Sequence, residues 1–398
     1  MTTEQYDQIE RVPQWPARAE HDVFQSRGWT RSLEDSLGER RRYLLHRDGE
    51  GTPRGSATCY FVSPQINPFL NPSALIGHYL QDDRLSAFLT PEEEEEAARI
   101  AKQNAGLLDT SAVSTAPFGF TQSICHDDDV STLDSLLQGV EDARDEWGAG
   151  AAAVLYVREQ DTALRSALRS KGYAEALVGA NCVLPVTWDS FEGYLDIYGP
   201  GRQRRVTRER NSFLESGISV SIEPVEPNLD EIARLQALLQ QKYGAGYHPD
   251  HERRVFASVV EHLSPYANLL VARRDGRLVA FTMFFEKDGV MYSKMASRDS
   301  ELTDPSEYVH YNMCYYELAA EAARRGAREI HYGHEAYAAK LHRGCELRPL
   351  FWYTKVSGPD HALLERASSL VSKATSSRLE DIRSVYQGRA NFRRTPGS

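Results

Sequence analysis

Several groupings of reactive side chains stand out in this 398-residue chain. His331, His334 and Glu335 lie at or just beyond a predicted strand, Glu329 to Tyr332, and in open α/β sheets catalytic groups collect at strand ends. Histidine titrates at about 6.5 and is suited to taking a proton from an amine. Lys340, Arg343 and Gly344 form Lys-x-x-Arg-Gly, which reads in two ways. Arg343 offers a bidentate fork for a phosphate or carboxylate, with Gly344 letting backbone approach closely. Alternatively the segment ends a helix, with cations on its dipole and glycine as the stop. Tyr308, Tyr311 and Tyr315 share one helical face at i, i+3 and i+7, with Tyr316 offset, and serve either as a stacking surface or as core. His310 beside them, taken with His334 and Glu335, makes a set known among metal ligands, but the spacing matches no metal motif and no metal is expected. Arg202, Arg204, Arg205, Arg208 and Arg210 put five arginines in nine residues, fit either for a phosphate-bearing ligand or for a solvated helix paired with Glu209 and Glu215.

Positioning such groups needs a sizeable core, and the composition supplies one. Hydrophobic residues make up 41% and charged residues 26%, which excludes the disordered, collagenous and membrane classes and favours two domains over one. The formal net charge of -11 repels polyanions, so a general nucleic-acid coat and a DNA partner are not expected, although local basic patches remain. No run of about 18 apolar residues exists to span a membrane, and the N-terminus lacks a secretory pattern, so a cytoplasmic location is expected. Cys59, Cys125, Cys182, Cys314 and Cys345 are odd in number, scattered and never C-x-x-C, which predicts buried thiols.

The elements alternate. Residues 1 to about 18 carry no periodicity and read as a poorly ordered lead. A helix from Asp22 to Ser36 follows, then a hairpin, Arg42 to His46 and Ala57 to Val62, turning at Arg47 to Gly51. The run Glu92 to Glu96 opens a helix continuing through Ile100, Ala101 and Ala105. A strand is predicted at Phe118 to Thr121, a helix over Ser131 to Trp147, a strand at Ala152 to Val157, a short helix from Asp161 to Ser170 and a strand from Leu177 to Val186. The second half repeats the order. A strand at Ile218 to Ile222 and helices near Asn228 to Tyr243 and His251 to Leu263 precede a meander, Asn268 to Ala272, Leu278 to Phe285 and Val290 to Met295, turning at Asp275-Gly276 and Asp288-Gly289. Then come a helix from Glu307 to Arg325, the strand at Glu329, a short helix from Glu335 to His342, a strand Leu350 to Val356 and one or two tail helices, Asp360 to Lys373 and Leu379 to Tyr386.

The repeated order of hairpin or meander, helix, strand, short helix and strand resembles the GNAT acyltransferase fold duplicated in tandem, as in the Fem family. Four stretches carry the resemblance over residues 20 to 357. Phe24-Gln25-Ser26-Arg27-Gly28-Trp29 is similar to the tryptophan-bearing entry helix of Fem proteins. Phe191-Glu192-Gly193-Tyr194-Leu195, leading into Arg202 to Arg210, resembles their aromatic helix followed by a basic one. His310-Tyr311-Asn312-Met313-Cys314-Tyr315-Tyr316 and Lys340-Leu341-His342-Arg343-Gly344 resemble motifs of related bacterial predicted N-acyltransferases.

The resemblance implies an α/β (α+β) fold with two tandem GNAT-like domains, mixed central sheets flanked by helices, bounded at 20–190 and 191–357, with a lead over 1–19 and a helical tail over 358–398. It implies an enzyme moving an aminoacyl group from aminoacyl-tRNA to the amine of a peptidoglycan precursor or small metabolite, with no bound cofactor. No coiled-coil tRNA arm is visible, which makes a small acceptor at least as fitting. Such transfer needs alignment, removal of an ammonium proton and an oxyanion stabiliser, but no covalent nucleophile. Lys340 falls where the Fem lysine contacts the acyl carbonyl, Arg343, Gly344, His310, Tyr311 and Tyr315 would bind substrate, and Arg202, Arg204, Arg205 and Arg208 would hold the tRNA end. His331, His334 and Glu335 are the candidate bases, although related proteins carry glutamate at the position of His331. An acyl-CoA donor is the alternative, and GNAT enzymes cradle its pyrophosphate on a Q/R-x-x-G-x-G/A loop at a helix N-terminus. The two matches, Gln241 to Gly246 and Arg169 to Ala174, follow helices and read as C-caps. At the expected places stand Ile124 to Asp129 and Ser297 to Leu302, whose carboxylates repel a pyrophosphate and favour the tRNA donor. A third reading is an inactive acyltransferase-like module that binds an acylated metabolite.

Overall fold

The computed structural model describes residues 2–34, 40–65, 68–103 and 106–389. Among them lie twelve strands: β1 Thr2–Tyr6, β2 Arg41–Arg47, β3 Pro53–Val62, β4 Ser111–Ser114, β5 Ala151–Arg158, β6 Ala174–Pro185, β7 Ser219–Glu223, β8 Ala267–Arg274, β9 Arg277–Lys287, β10 Val290–Arg298, β11 Glu329–His331 and β12 Glu346–Val356. The chain divides into two compact units, one of residues 1–181 with 348–382 and the other of residues 182–347 with 383–398. Each is a mixed sheet with helices on its faces, the architecture expected from the sequence.

In the first unit β1, β2, β3 and β4 pair antiparallel in sequence, β5 lies parallel to β4, and β12 closes antiparallel on β5. The β2–β3 hairpin turns on Asp48, whose carboxylate accepts the backbone N–H of Glu50 and Thr52. The parallel β4–β5 pair requires a crossover, supplied by the helix Val130–Trp147. Asp129 caps it by accepting from Ser131 and Thr132, and Gly148 stops it in the left-handed region. Leu133, Leu136, Leu137 and Val140 on its inner face are fully buried with Leu44, Ala57 and Val154 of the sheet. The expected division at 190/191 and 357/358 therefore differs from the observed one, because β12 follows the second unit in sequence yet belongs to the first sheet.

Three local expectations are corrected in this unit, and one left open is decided. Residues 1–19 are no loose lead: Thr2–Tyr6 is an edge strand, and Ile9, Val12, Trp15 and Ala19 bury against Tyr43 and Leu45. The helix predicted from Asp22 spans only Arg27–Ser32, because Ser26 turns its side chain to the Trp29 N–H and caps there; Asp35, Ser36 and Ala105 lie outside the described residues. Phe118 to Thr121 is not a strand, since Phe118 and Phe120 both take positive φ, and the strand there is Ser111–Ser114. The tail is one helix, Asp360–Arg389.

The second unit orders β8, β9 and β10 as the predicted antiparallel meander, and β7 pairs antiparallel with β8 at its outer edge. Both tight turns, Asp275-Gly276 and Asp288-Gly289, have positive φ at each central residue, the twist that two-residue hairpins require. β11 runs parallel to β10, and the end of β6, residues Val183 to Pro185, pairs antiparallel with β11. The helix predicted from Glu307 to Arg325 is interrupted. Tyr308 is left-handed, Val309–Tyr311 is one α turn, Asn312–Tyr316 is a π segment, and only Glu317–Arg325 is regular α-helix. Gly244 and Gly172, both left-handed after their helices, bear out the C-cap reading of the two glycine matches.

Candidate active site

In the second unit two neighbouring strands part. β11 pairs with β10 only at Val290–Tyr292, while β10 runs on to Arg298, so its outer edge is released just where a bulge inserts Lys294 between Ser293 and Met295. Beyond β11 the chain makes a turn with Gly333, Glu335 and Ala336 all at positive φ. For the two non-glycine residues this is an uncommon conformation of the kind that clusters at functional sites. It displaces the expected helix start from Glu335 to Tyr337, giving Tyr337–Leu341 with Lys340 in its last turn.

Lys340 is buried, and its Nζ donates to the carbonyl oxygens of Gly333 at 3.2 Å and His334 at 3.0 Å. An ammonium carries three N–H groups, so one more is left to give. Burial lowers its pKa, opposed by Cys182, Cys345, Glu335 and Cys314 around it. Lys294, half-buried on β10, titrates at about 7, first because its amine is desolvated and second because it faces the charge of Lys340. No pattern in Tyr292-Ser293-Lys294-Met295 singled this lysine out. Burial pushes the Cys182 and Cys314 thiols up to about 12 and raises Cys345 well above the usual thiol range, so none of these three thiols stands ready as a thiolate nucleophile.

Arg343 has a different fate from Lys340. Its guanidinium is buried, with its centre 4.1 Å from the Tyr311 ring, 4.5 Å from Tyr315 and 5.6 Å from Tyr316, and it donates to the Ala339 carbonyl at 2.7 Å. The π segment brings the three rings together: bonding from i to i+5 widens the turn and swings Tyr316, offset on an α-helix, toward Tyr311. Fully buried Glu209 stands 3.9 Å from Arg343 and accepts from Tyr316 and from Arg205. Those cations and donors outweigh desolvation and keep its carboxyl ionised. Arg343 is thus a packing cation, not an open fork, and Gly344 at φ 93° follows as the stop of the short helix.

The helix Pro200–Leu214 sorts its arginines by face. Arg202 donates to the His342 carbonyl, Arg205 pairs with Glu209, and Arg210 pairs with Glu317 and stacks on Phe191. Arg204 and Arg208, one turn apart, are exposed and line a shallow groove of about 500 Å³ with Gln203, Thr207, Asn211, Ser212 and Glu215. Among the described residues neither has an acidic partner, so only two of the expected four remain open to a ligand.

A cavity of about 860 Å³ lies at the end of β10, lined by Ala296, Arg298, Lys242, Arg277, His310 and Tyr311 among others; neither Lys340 nor Lys294 lines it. His310 faces this space as a neutral imidazole, held down to about 4 by desolvation and by the Arg343, Arg298 and Lys242 charges. The segment Ser297 to Leu302 is the one in which the resemblance expects a pyrophosphate loop. Asp299 there is ionised and paired with Arg234 at 2.9 Å, and Asp304 closes a capping box over the turn Pro305–Glu307. The N–H groups that would cradle an anion are occupied by the chain's own carboxylates.

The remaining candidates separate. His331 bonds Glu329 at 2.8 Å and packs on Tyr292, while His334 is buried with its ring edge-on to Tyr337. Glu335, half-buried, stays close enough to act electrostatically on Lys340 and Cys182. Among the described residues no group of three or more His, Cys, Asp or Glu is arranged to hold a metal ion, and no helix is long and apolar enough to cross a membrane.

A family model, FemAB-like, described as peptidoglycan biosynthesis/recognition, matches residues 115–379. No curated protein matches the chain in sequence. Among solved structures the chain is similar to FemX, with 11% identity, a TM-score of 0.57 and coverage of 92% of this chain and 100% of that one. It is also similar to the C-terminal domain of a putative lysylphosphatidylglycerol synthetase from Agrobacterium fabrum, with 11% identity, a TM-score of 0.52 and coverage of 90% and 95%. A conserved protein of unknown function from Bacteroides thetaiotaomicron gives 12% identity, a TM-score of 0.50 and coverage of 88% and 95%.

Proposed function

The chain belongs to the FemAB-like family of peptidoglycan biosynthesis and recognition, and from that premise we propose that it forms an amide bond in the cytoplasm by moving an aminoacyl group from aminoacyl-tRNA to an amine. Family membership makes it an enzyme of the N-acyltransferase or aminoacyltransferase class. The acceptor is a peptidoglycan precursor or a small biosynthetic amine, and no bound cofactor takes part.

The single observation that carries the reading is Lys340, a buried cation pinned by two carbonyls in the turn after β11 with one N–H left to give. Such a fixed donor suits the oxyanion that forms when an amine attacks an ester carbonyl, because it needs no reorganisation as charge develops. The choice of donor is supported by Asp299 and Asp304, whose ionised carboxylates lie in and beside the segment where the resemblance expects a pyrophosphate loop. Arg204 and Arg208 supply an open basic face for the phosphates of a tRNA acceptor end. FemX is an Fem protein by its printed name, and its fold likeness is consistent with this reading.

The test is a filter-binding titration of the purified protein with a pool of charged tRNAs and, separately, with acetyl-CoA, at moderate salt. Binding to charged tRNA alone is the expected result. Retention of acetyl-CoA alone would return the protein to acyl-CoA chemistry. Binding of an acylated ligand without any turnover would favour an inactive binding module.

A further inference from the structure

We propose that the second unit holds a second binding site, apart from Lys340, which takes a small amphipathic anion: an aromatic or apolar body carrying a carboxylate or a phosphate monoester. The site is the cavity of about 860 Å³ at the end of β10, a volume that suits a small molecule. It stands independently of the acyl-transfer reading, since Lys340 does not line it.

Charge fixes the sign of the ligand. Three cations reach the cavity from three elements: Lys242 at the end of the helix Leu229–Lys242, Arg277 at the start of β9 and Arg298 at the end of β10. Among the described residues none of the three has an acidic partner. Arg298 gives only Nη1, to Thr303 Oγ1 at 2.7 Å and to the Thr303 carbonyl at 3.5 Å. Its Nε and Nη2 edge stays open, a pair of parallel donors that meets a carboxylate or phosphate as a fork. The carboxylates on the same wall are mostly engaged. Asp299 pairs with Arg234 at 2.9 Å, Asp304 accepts the N–H and O–H of Ser306, and exposed Glu301 is the open one. Three open cations against one open carboxylate attract an anion, in a chain whose net charge is -11. Because the backbone N–H groups of Glu301 and Ser306 go to Asp299 and Asp304, recognition falls to side chains.

The lining also fixes the body of the ligand. Tyr308 and Tyr311 line the cavity as a stacked pair, with centroids 6.5 Å apart and planes 22° from parallel. Half-buried Leu238 and Leu239 add apolar surface from the helix that ends in Lys242. Tyr308 holds a φ of 52°, where glycine is at home and a bulky side chain is an outlier. Its carbonyl is pinned there by Asn312, whose backbone N–H and Nδ2 both donate at 3.0 Å. Its side chain caps no helix. A ring is thus kept where the backbone favours glycine, the kind of strain that persists at ligand clamps. The pair offers a planar or apolar body a stacking surface beside the cations.

Isothermal titration calorimetry of the full chain at low salt tests this with four probes: 2-naphthoate, 2-naphthyl phosphate, uncharged 2-naphthol and inorganic phosphate. One or both naphthyl anions should bind, the tighter naming the head group, with 2-naphthol and inorganic phosphate weaker by about tenfold or more. Arg298→Gln and Arg277→Gln should each weaken the naphthyl anion by about tenfold. Tyr308→Gly should weaken it similarly, by about tenfold, while the thermal midpoint holds or rises, because the backbone there suits glycine. No saturable heat from either naphthyl anion, equal affinity for 2-naphthol, or unchanged affinity in all three variants would overturn the proposal. Equal affinity for inorganic phosphate would reduce the site to an adventitious ion only and overturn it as well. Displacement of the naphthyl anion by acetyl-CoA or by charged tRNA would make the cavity part of the donor site and overturn its independence. If charged tRNA binds nowhere, the donor reading fails while the calorimetry still decides this site.

Discussion

Replacing Lys294 with methionine should make the protein more stable at neutral pH, and the size of the gain follows from the lysine's surroundings. The amine drops from an ordinary 10.5 to about 7 on folding. Between those values the unfolded chain binds a proton that the folded chain does not, so wild-type stability rises with pH by about 1.4 kcal/mol per unit. Below about 7 both states are protonated, and the full cost of a desolvated charge opposes folding. That cost has an upper bound of about 5 kcal/mol, and relaxation and water access reduce it to roughly 2–4 kcal/mol. Methionine fills similar space without charge. The Lys294→Met variant should therefore exceed the wild type by a few kcal/mol in urea denaturation at pH 6, with the gap closing toward pH 10.5. A gain of the same size at both ends would assign the effect to packing. A loss at pH 6 would refute the reasoning outright.

Three further outcomes follow from the same geometry. Lys340→Ala should lower turnover more than tenfold, at least about 1.4 kcal/mol in the barrier, with tRNA affinity retained; unchanged turnover removes the lysine from the oxyanion. Arg204→Ala with Arg208→Ala, leaving the structural Arg205 in place, should weaken charged-tRNA binding and flatten the salt dependence by about 1–2 units of slope; an unchanged slope returns that face to solvent. Glu209→Ala should destabilise the protein by about 3–5 kcal/mol, because Arg343 then lies buried without its counter-charge; thermal unfolding showing a loss below 1 kcal/mol would mean the tyrosine rings alone suffice.

What the sequence made legible was whatever is decided by neighbours along the chain. The turns Asp275-Gly276 and Asp288-Gly289 announce the meander because few other residues accept those backbone angles. Asp129 before an amphipathic run marks the helix that crosses the first sheet, and Lys340 is found through a short motif. Decisions taken across the fold were not legible. Thr2–Tyr6 has no apolar alternation because it is an edge strand, and its pairing with Arg41–Arg47 is what makes it a strand at all. The aromatic character of Phe118 and Phe120 suggested a strand, but their backbones turn the other way. Arg205 and Arg208 are alike in sequence, yet only the partner Glu209 separates a structural arginine from an open one. Lys294 is an ordinary strand lysine until Lys340, far along the chain, is folded against it. The π segment leaves no periodic trace, since it shifts the helical phase by a single residue.

The place of β12 bears on how this protein comes to be made. Its first sheet needs Glu346–Val356 beside β5, and β5, an almost wholly apolar strand, leaves the ribosome nearly two hundred residues earlier. At about 5–20 residues per second the nascent chain carries that open, sticky edge for roughly 10–40 s. Release before residue 348 would leave the edge open for good, an invitation to pair with another chain. Nascent copies should therefore depend on chaperones until synthesis has passed β12, and fragments ending ahead of it should be recovered as aggregates.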